Sequence, residues 1–398
     1  MRIAVIAKGI SPFVVGGAEK VTEEVVNRLK KRGHEVKVIM KYKKEDERPE
    51  IGIEIDEEWS RNAALEAMRF EPDVIYICRH WGEFASLYVK DIPIVSMYHD
   101  IDLDLLPISP DRYSKLEEIT RRCLRRDNKI VVASQLTRDY YIKDFSADKD
   151  KFFVIPLGLD EKEALKGKNM EEDKFKLLYL GRIAPNKGIH ILLEALREVY
   201  ERLPIELTIY GGFTRDYTSY YSYLLDFSRP LPVKFAGRVR EEDKTKLYQS
   251  FDAVVCPSIA HEGFGLVPLE ALRYNGLVIA SDIFVKTGVL SKKVAFVYPK
   301  TDVDALASRI KEAFLMNKSE RSRLRRNAKR WVERFSWERH IRELEKILIL
   351  VVLKNRRFLG YVNRRFATTS ISDYLNYIFI CILCITIWKN HIYHYIIR

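Results

Sequence analysis

Two kinds of apolar pattern alternate along the chain, and the alternation happens twice. The runs RIAVIA (2–7), HEVKVIM (34–40), DVIYIC (73–78), PIVSMY (93–98) and KIVVAS (129–134) are short and β-rich, as strands of a parallel sheet covered on both faces read. Stretches of helical period separate them; from about Ala18 to Arg32, Val21, Val25, Val26 and Leu29 fall on one face. FFVIPLGLD (152–160) leads into EKEALKGKNMEEDKFK, which is polar, aperiodic and reads as a linker. The alternation then resumes with KLLYLG (176–181), IELTIYG (205–211), VKFAG (233–237), AVVCPS (253–258) and LVIASD (277–282). The pattern predicts two successive open α/β domains, 1–160 and 161–348, with a tail over 349–398. Two such domains leave a cleft between them, and ligands of open parallel sheets bind beyond the carboxyl ends of the strands. The loops that follow the strands are where chemistry is expected.

The charge narrows the partners. The net charge of +12 is unevenly placed, with 18 Lys/Arg against 6 Asp/Glu between 309 and 365, while residues 1–308 sum to −1. A uniformly basic, nucleic-acid-binding surface is therefore not expected, whereas a local patch for an anionic surface is. The five cysteines show no framework spacing, and Cys381 and Cys384 form a lone C-x-x-C inside an apolar run. With MRIAVIAKGISP reading as a first strand rather than a signal peptide, a reducing, cytoplasmic setting is the default expectation.

Four loops carry candidate chemistry. In HEGFGLVPLEAL (261–272), Gly263 and Gly265 let backbone approach a ligand, and the N–H groups of the following helix favour an anion. Pro268 suits a first helical turn, so the helix is expected from about Pro268 to Tyr274, with Glu262 in the loop and Glu270 in the first turn. Carboxylates suit vicinal hydroxyls of a sugar or ribose; equally, this spacing fits a plain strand–loop–helix connection with a capping Glu. After KLLYLG, Arg182 and Lys187 flank a Pro-Asn turn before a helix, where two cations can neutralise a diphosphate, or simply be solvated. This is not a Walker A loop, since Gly188 follows the lysine. Gly16 and Gly17 precede a helix, and His99 ends the strand PIVSMY; each also has an ordinary reading as helix entry or loop residue. Asp100, Asp102 and Asp104 raise a cation site, but Leu105, Pro107 and Pro110 do not suit a calcium loop. No metal is expected.

Taken together, SPFVVGGAEKVTEEVVNRLKKRGHEV, YHD, VIPLGLD, YLGRIAPNKGIHILLEAL, YGG, VKFAGRV, CPSIAHEGFGLVPLEAL, VIASD and RFSWERHIRELEKIL resemble the retaining glycosyltransferases of family 4. The resemblance runs from Met1 to about Leu348. It implies the GT-B fold, two Rossmann-like domains facing each other across a cleft, with an acceptor-side N-terminal domain and a nucleotide-sugar-binding C-terminal one. It implies a nucleotide-diphosphate sugar as donor, a glycan or lipid-linked acceptor, and no cofactor. Arg182 and Lys187 would then bind the leaving diphosphate. Glu262 would hold the transferred sugar with the backbone of Gly263, Phe264, Gly265 and Leu266, and Glu270 would hold the ribose. His99 would reach the donor sugar from across the cleft, and Gly16 and Gly17 would line the acceptor side. One departure is IFVKTGVL after ASD, where the family often has a Gly-rich turn and Pro-Glu. The alternatives are a GT-B-shaped binding subunit without catalysis, and a sugar-nucleotide epimerase.

In the tail, YLNYIFICILCITIW (374–388) is uncharged but shorter than the roughly 20 residues of a spanning helix. Arg356, Arg357, Arg364 and Arg365 precede it. Basic cluster plus apolar segment is a two-signal pattern for peripheral membrane contact, here at the inner face of the cell membrane; an extension without function is the alternative.

Overall fold

The computed structural model describes residues 1–10, 16–42, 55–79, 84–99, 110–159, 174–260, 262–274 and 276–355. The linker after Leu159, Asp100, Asp102, Asp104, His261 and the tail beyond 355 lie outside them. The chain divides into two compact units, Met1–Leu348 and Ile349–Arg398. Among the described residues no helix is long and apolar enough to cross a membrane.

The first sheet is built from β1 (Arg2–Ala7), β2 (Glu35–Met40), β3 (Val74–Arg79), β4 (Ile94–Tyr98), β5 (Lys129–Val132) and β6 (Phe152–Val154). All its pairings are parallel, in the order β2-β1-β3-β4-β5-β6. Among the described residues, α1 (Gly17–Lys31), α2 (Glu57–Arg69), α3 (Pro110–Arg126) and α4 (Gln135–Asp144) connect these strands. The second sheet comprises β7 (Phe175–Leu180), β8 (Ile205–Tyr210), β9 (Val233–Phe235), β10 (Ala253–Cys256), β11 (Leu277–Ser281) and β12 (Phe296–Tyr298). It too is wholly parallel, in the order β12-β11-β10-β7-β8-β9. Its helices are α5 (Ile189–Val199), α6 (Thr218–Ser228), α7 (Lys244–Ser250), α8 (Leu266–Arg273), α9 (Ile283–Lys286) and α10 (Val303–Leu315), followed by α11 (Lys318–Val332) and α12 (Trp337–Lys354).

The expected alternation is therefore present in both halves, with two strands added, β6 and β12. Both escape sequence reading because FFV and FVY are too short to carry a period. Continuous apolar runs are explained by burial on both faces: β1 from Ile3 to Ile6 and β4 from Ile94 to Val95 have no exposed surface. In the second half, Leu177, Leu207 and Ile279 from the sheet meet Leu192, Leu196 and Ile310 from α5 and α10 in one core. Order reverses between β1 and β3 in the first sheet, and between β7 and β10 in the second. At such a switch point the loops leaving neighbouring strands diverge and leave a crevice at the carboxyl ends.

The last helix among the described residues, α12, returns to the first half. Arg32, at the end of α1, meets Glu338 at 2.6 Å and Glu345 at 2.9 Å, and His34 Nε2 lies 2.7 Å from Glu345. His340 Nδ1 donates to the Pro156 carbonyl at 3.0 Å, and Leu159 N donates to Phe335 O at 3.2 Å. A Cβ on Gly158 would fall 2.2 Å from Trp337 N, so only glycine permits this crossing.

His340 is fully buried, and burial lowers its pKa to about 4 against the weaker upward pull of the Pro156 carbonyl. His99 is lowered likewise to about 4, by burial and then by the charge of His340. Between the ordinary histidine pKa near 6.5 and these values the unfolded chain binds more protons, so stability must fall as pH falls. We expect unfolding free energy, measured by urea titration, to drop by about 1 kcal/mol per pH unit for each of the two between pH 6.5 and 4.5. His340→Gln should remove one group's share of that slope; an unchanged slope would contradict the assignment.

Candidate active site

The crevice at the β7/β10 switch point is walled by two loops whose spacing is set by a glycine. Gly188 has a left-handed backbone with φ of 68°, and a Cβ there would lie 2.0 Å from Pro257 O. The loop after β7 can therefore touch the loop after β10, and Ile259 N donates to Asn186 O at 2.9 Å. Lys187, next to this contact, places Nζ 2.7 Å from Glu262 Oε1. Ser258 Oγ donates to the same oxygen, while Ser281 Oγ holds the Ser258 carbonyl at 2.7 Å. Lys187 and Glu262 side chains are only 17% and 13% exposed, which shields the pair from bulk water. Arg182, on the same loop, is exposed, with its carbonyl accepting from Tyr179 Oη at 2.6 Å.

The surrounding titratable groups are kept neutral. Burial, with Glu262 adding to it, raises the Tyr179 phenol and the Cys256 thiol well above their ordinary values. No second anion forms beneath the pair.

The glycine turn leads into α8, which starts at Leu266 and not at Pro268, so Glu270 falls in the second helical turn rather than the first. Gly265 is the left-handed cap, with φ of 112°, and a Cβ there would meet Phe284 at 2.7 Å. Phe264 is 5% exposed, and its ring packs edge-on against Phe335 at 5.9 Å. Only its backbone is therefore offered to a ligand. Among the described residues no acceptor takes the N–H of Phe264 or Gly265.

Glu270 has different surroundings from Glu262. Tyr248 Oη donates to Glu270 Oε2 at 2.7 Å, and Tyr248 stacks on Tyr274 at 5.7 Å between ring centres. Burial, then Glu270, pushes the Tyr248 phenol well up, so it remains a donor. About 550 Å³ of empty space opens here, lined among others by Lys20, Glu241, Tyr248, Glu270, Arg273 and Tyr274. The two glutamates thus have separate partners.

From the first half, Gly16 caps α1 in an extended conformation, and a Cβ on it would collide with Glu19 Oε2 at 2.1 Å. The place of a Gly17 Cβ is 3.8 Å from Leu266 Cδ1, so the Gly-Gly turn abuts the start of α8. Lys20 pairs with Glu241 at 2.5 Å, and Thr137 Oγ1 donates to Gly263 O at 3.1 Å. His99 lies at the carboxyl end of β4, with a buried Nε2 that has no hydrogen-bond partner among the described residues. Among the described residues it makes no hydrogen bond to Arg182, Lys187 or Glu262.

The structure therefore joins Lys187 to Glu262 and Gly17 to Leu266, and sets Glu270 apart. Ser258, Tyr248, Lys20, Glu241 and Thr137 were not singled out from sequence. Ser258 had a signal, as the last residue of the strand run AVVCPS, whereas a lone Tyr in KLYQS has none. Among the described residues no group of three or more His, Cys, Asp or Glu is placed to hold a metal.

Known proteins resemble the chain in both halves. The family model described as Glycosyltransferase Family 4 matches residues 15–163, and that of Glycosyl transferases group 1 matches residues 160–331. An uncharacterized glycosyltransferase of Methanocaldococcus jannaschii is 26% identical, with 86% of this chain and 96% of the relative covered. A phosphatidyl-myo-inositol mannosyltransferase of Mycobacterium leprae is also 26% identical, over 85% of this chain and 93% of its own length. Among solved structures, Anabaena HepE in complex with UDP-glucose superposes with a TM-score of 0.67 at 18% identity, over 87% of this chain and 99% of that one. Two wholly parallel six-stranded sheets, two adjoining family matches and full-length relatives agree: the chain belongs to the group 1 glycosyltransferases of family 4, enzymes of the GT-B fold.

Proposed function

We propose that the enzyme is a retaining transferase that moves a sugar from a nucleotide-diphosphate donor to a glycan or lipid-linked acceptor. The observation that carries this reading is the Lys187–Glu262 pair at the β7/β10 switch point, beside the free amides that lead into α8. HepE crystallised with UDP-glucose and the phosphatidyl-myo-inositol mannosyltransferase relative support the donor and the lipid-linked acceptor respectively.

In this mechanism Arg182 and Lys187 hold the diphosphate, and the N–H groups of Phe264 and Gly265 meet the sugar or its phosphate. Glu262, anchored by Lys187 and Ser258, accepts from hydroxyls of the transferred sugar, and Glu270, oriented by Tyr248, accepts from the ribose. His99 is neutral at physiological pH, since its pKa lies near 4, and serves the donor sugar as a hydrogen-bonding imidazole. The bond from the anomeric carbon to the phosphate oxygen breaks while the acceptor oxygen bonds to that carbon on the same face. The acceptor proton passes to the departing phosphate. Arg182 and Lys187 supply the positive charge at the leaving group, so the reaction needs no divalent cation. Catalysis is then positioning and electrostatic preorganisation rather than a covalent intermediate.

Glu262→Ala should lower kcat on the order of 100-fold with little change in donor KM. Glu270→Ala should instead raise donor KM by about tenfold or more, the loss of a charged hydrogen bond to ribose. Equal effects on both parameters in steady-state assays would remove the division of labour. Activity should survive excess EDTA, and its abolition with rescue by Mg²⁺ or Mn²⁺ would overturn the cation-only leaving-group site. A lipid-linked acceptor suits peripheral attachment through 356–398 at the cytoplasmic face; deleting that segment should abolish sedimentation with anionic vesicles, and unchanged sedimentation would dismiss the attachment.

A further inference from the structure

We propose that Thr137 is a positioning residue for the donor loop, setting and polarising the Gly263–Phe264 peptide from the opposite half of the molecule. The proposal rests on the donor-binding reading of that loop. Ser134 caps α4 with an extended backbone, and its Oγ accepts from Thr137 N at 3.2 Å, as a helix cap does. The Thr137 hydroxyl does something a helical threonine does not ordinarily do. Instead of bonding back to a carbonyl of its own helix, it reaches Gly263 O at 3.1 Å, 126 residues away. Ser134 and Thr137 are 1% and 0% exposed, so water does not compete for these groups.

The protons can be placed from the atoms alone. Gly263 O can only accept, so the single hydroxyl proton of Thr137 lies on that bond. Ser134 Oγ, 2.9 Å from Thr137 Oγ1, must then donate to Thr137. The result is a one-way chain, Ser134 to Thr137 to the Gly263 carbonyl, in which each bond strengthens the next.

A trans peptide aims its C=O and N–H in opposite directions. Drawing the Gly263 carbonyl towards α4 therefore turns the Phe264 N–H away from α4. That N–H has no acceptor among the described residues, and the Phe264 ring is clamped against Phe335. Withdrawing electron density at the carbonyl oxygen makes the N–H of the same amide a stronger donor. The group that the donor meets is thus oriented and activated by the first half, whose contact forms only when the two halves are together.

The test compares wild type, Thr137→Val, Thr137→Ser and Ser134→Ala, using UDP-glucose and GDP-mannose as donor probes. The Phe264 amide is followed in [¹⁵N]Phe-labelled protein and assigned by its loss in Phe264→Leu. Thr137→Val should lower kcat about tenfold while UDP affinity stays within about threefold of wild type, the effect of one hydrogen bond felt mainly in the transition state. It should also move the Phe264 amide proton upfield. Thr137→Ser should restore both readouts. Ser134→Ala, which removes only the outer hydroxyl, should move the amide the same way by a smaller amount, a check that holds even where Thr137→Val fails to fold. An unmoved Phe264 amide in these variants overturns the relay itself. A shifted amide with wild-type kcat overturns its catalytic role. Wild-type protein that neither binds nor turns over either probe overturns the donor reading, while the amide shift still reports on the Thr137 contact.

Discussion

Everything at the candidate site follows from how closely two loops can approach at the β7/β10 switch point. The place of a Gly188 Cβ lies 2.0 Å from the Pro257 carbonyl oxygen, and the backbone there is left-handed, so any side chain would both strain the turn and push the loops apart. With the loops in contact, the Asn186 carbonyl satisfies the Ile259 amide, and Lys187 comes within hydrogen-bonding distance of Glu262. An ångström of separation would break that pair and leave a shielded carboxylate with one cation fewer. The geometry of a charged site is here decided by the absence of a methyl group.

That shielding cuts two ways. Desolvation makes an unpaired charge costly, and so holds Lys187 and Glu262 to each other and to Ser258. The same low dielectric strengthens any bond the site makes to an arriving anion. Tyr179 and Cys256 are kept protonated by burial and by Glu262, so neither adds negative charge to the site. Glu270 has its own partner in Tyr248, beside the empty space that both residues line. Two carboxylates eight residues apart thus acquire different partners without any difference in residue type.

How much was legible in the sequence depended on the range of the interaction that fixed each feature. Buried parallel strands such as β1, β3 and β4 are legible because covering both faces leaves no room for polar alternation. The Gly-rich turn and the Arg182–Lys187 loop were legible as loops, since their residue types answer to local backbone needs. The start of α8 was misread because proline tolerates any position of a first turn, where N–H groups lack partners anyway; Pro268 therefore did not mark the first residue. Ser134 and Thr137 look like an ordinary helix cap, and nothing local says that the threonine hydroxyl leaves its own helix. Tyr248 is equally silent, being defined only by a partner on another helix.

The return of α12 has a bearing on how the molecule is made. Arg32 and His34 lie near the start of the chain, yet their acidic partners Glu338 and Glu345 are some three hundred residues later. The Pro156 carbonyl likewise finds its donor in His340. A ribosome therefore delivers the first sheet with part of its surface bare, and completes it only after the whole second sheet has emerged. A chain that stops anywhere before α12 therefore leaves Arg32, His34 and the Pro156 carbonyl without these partners.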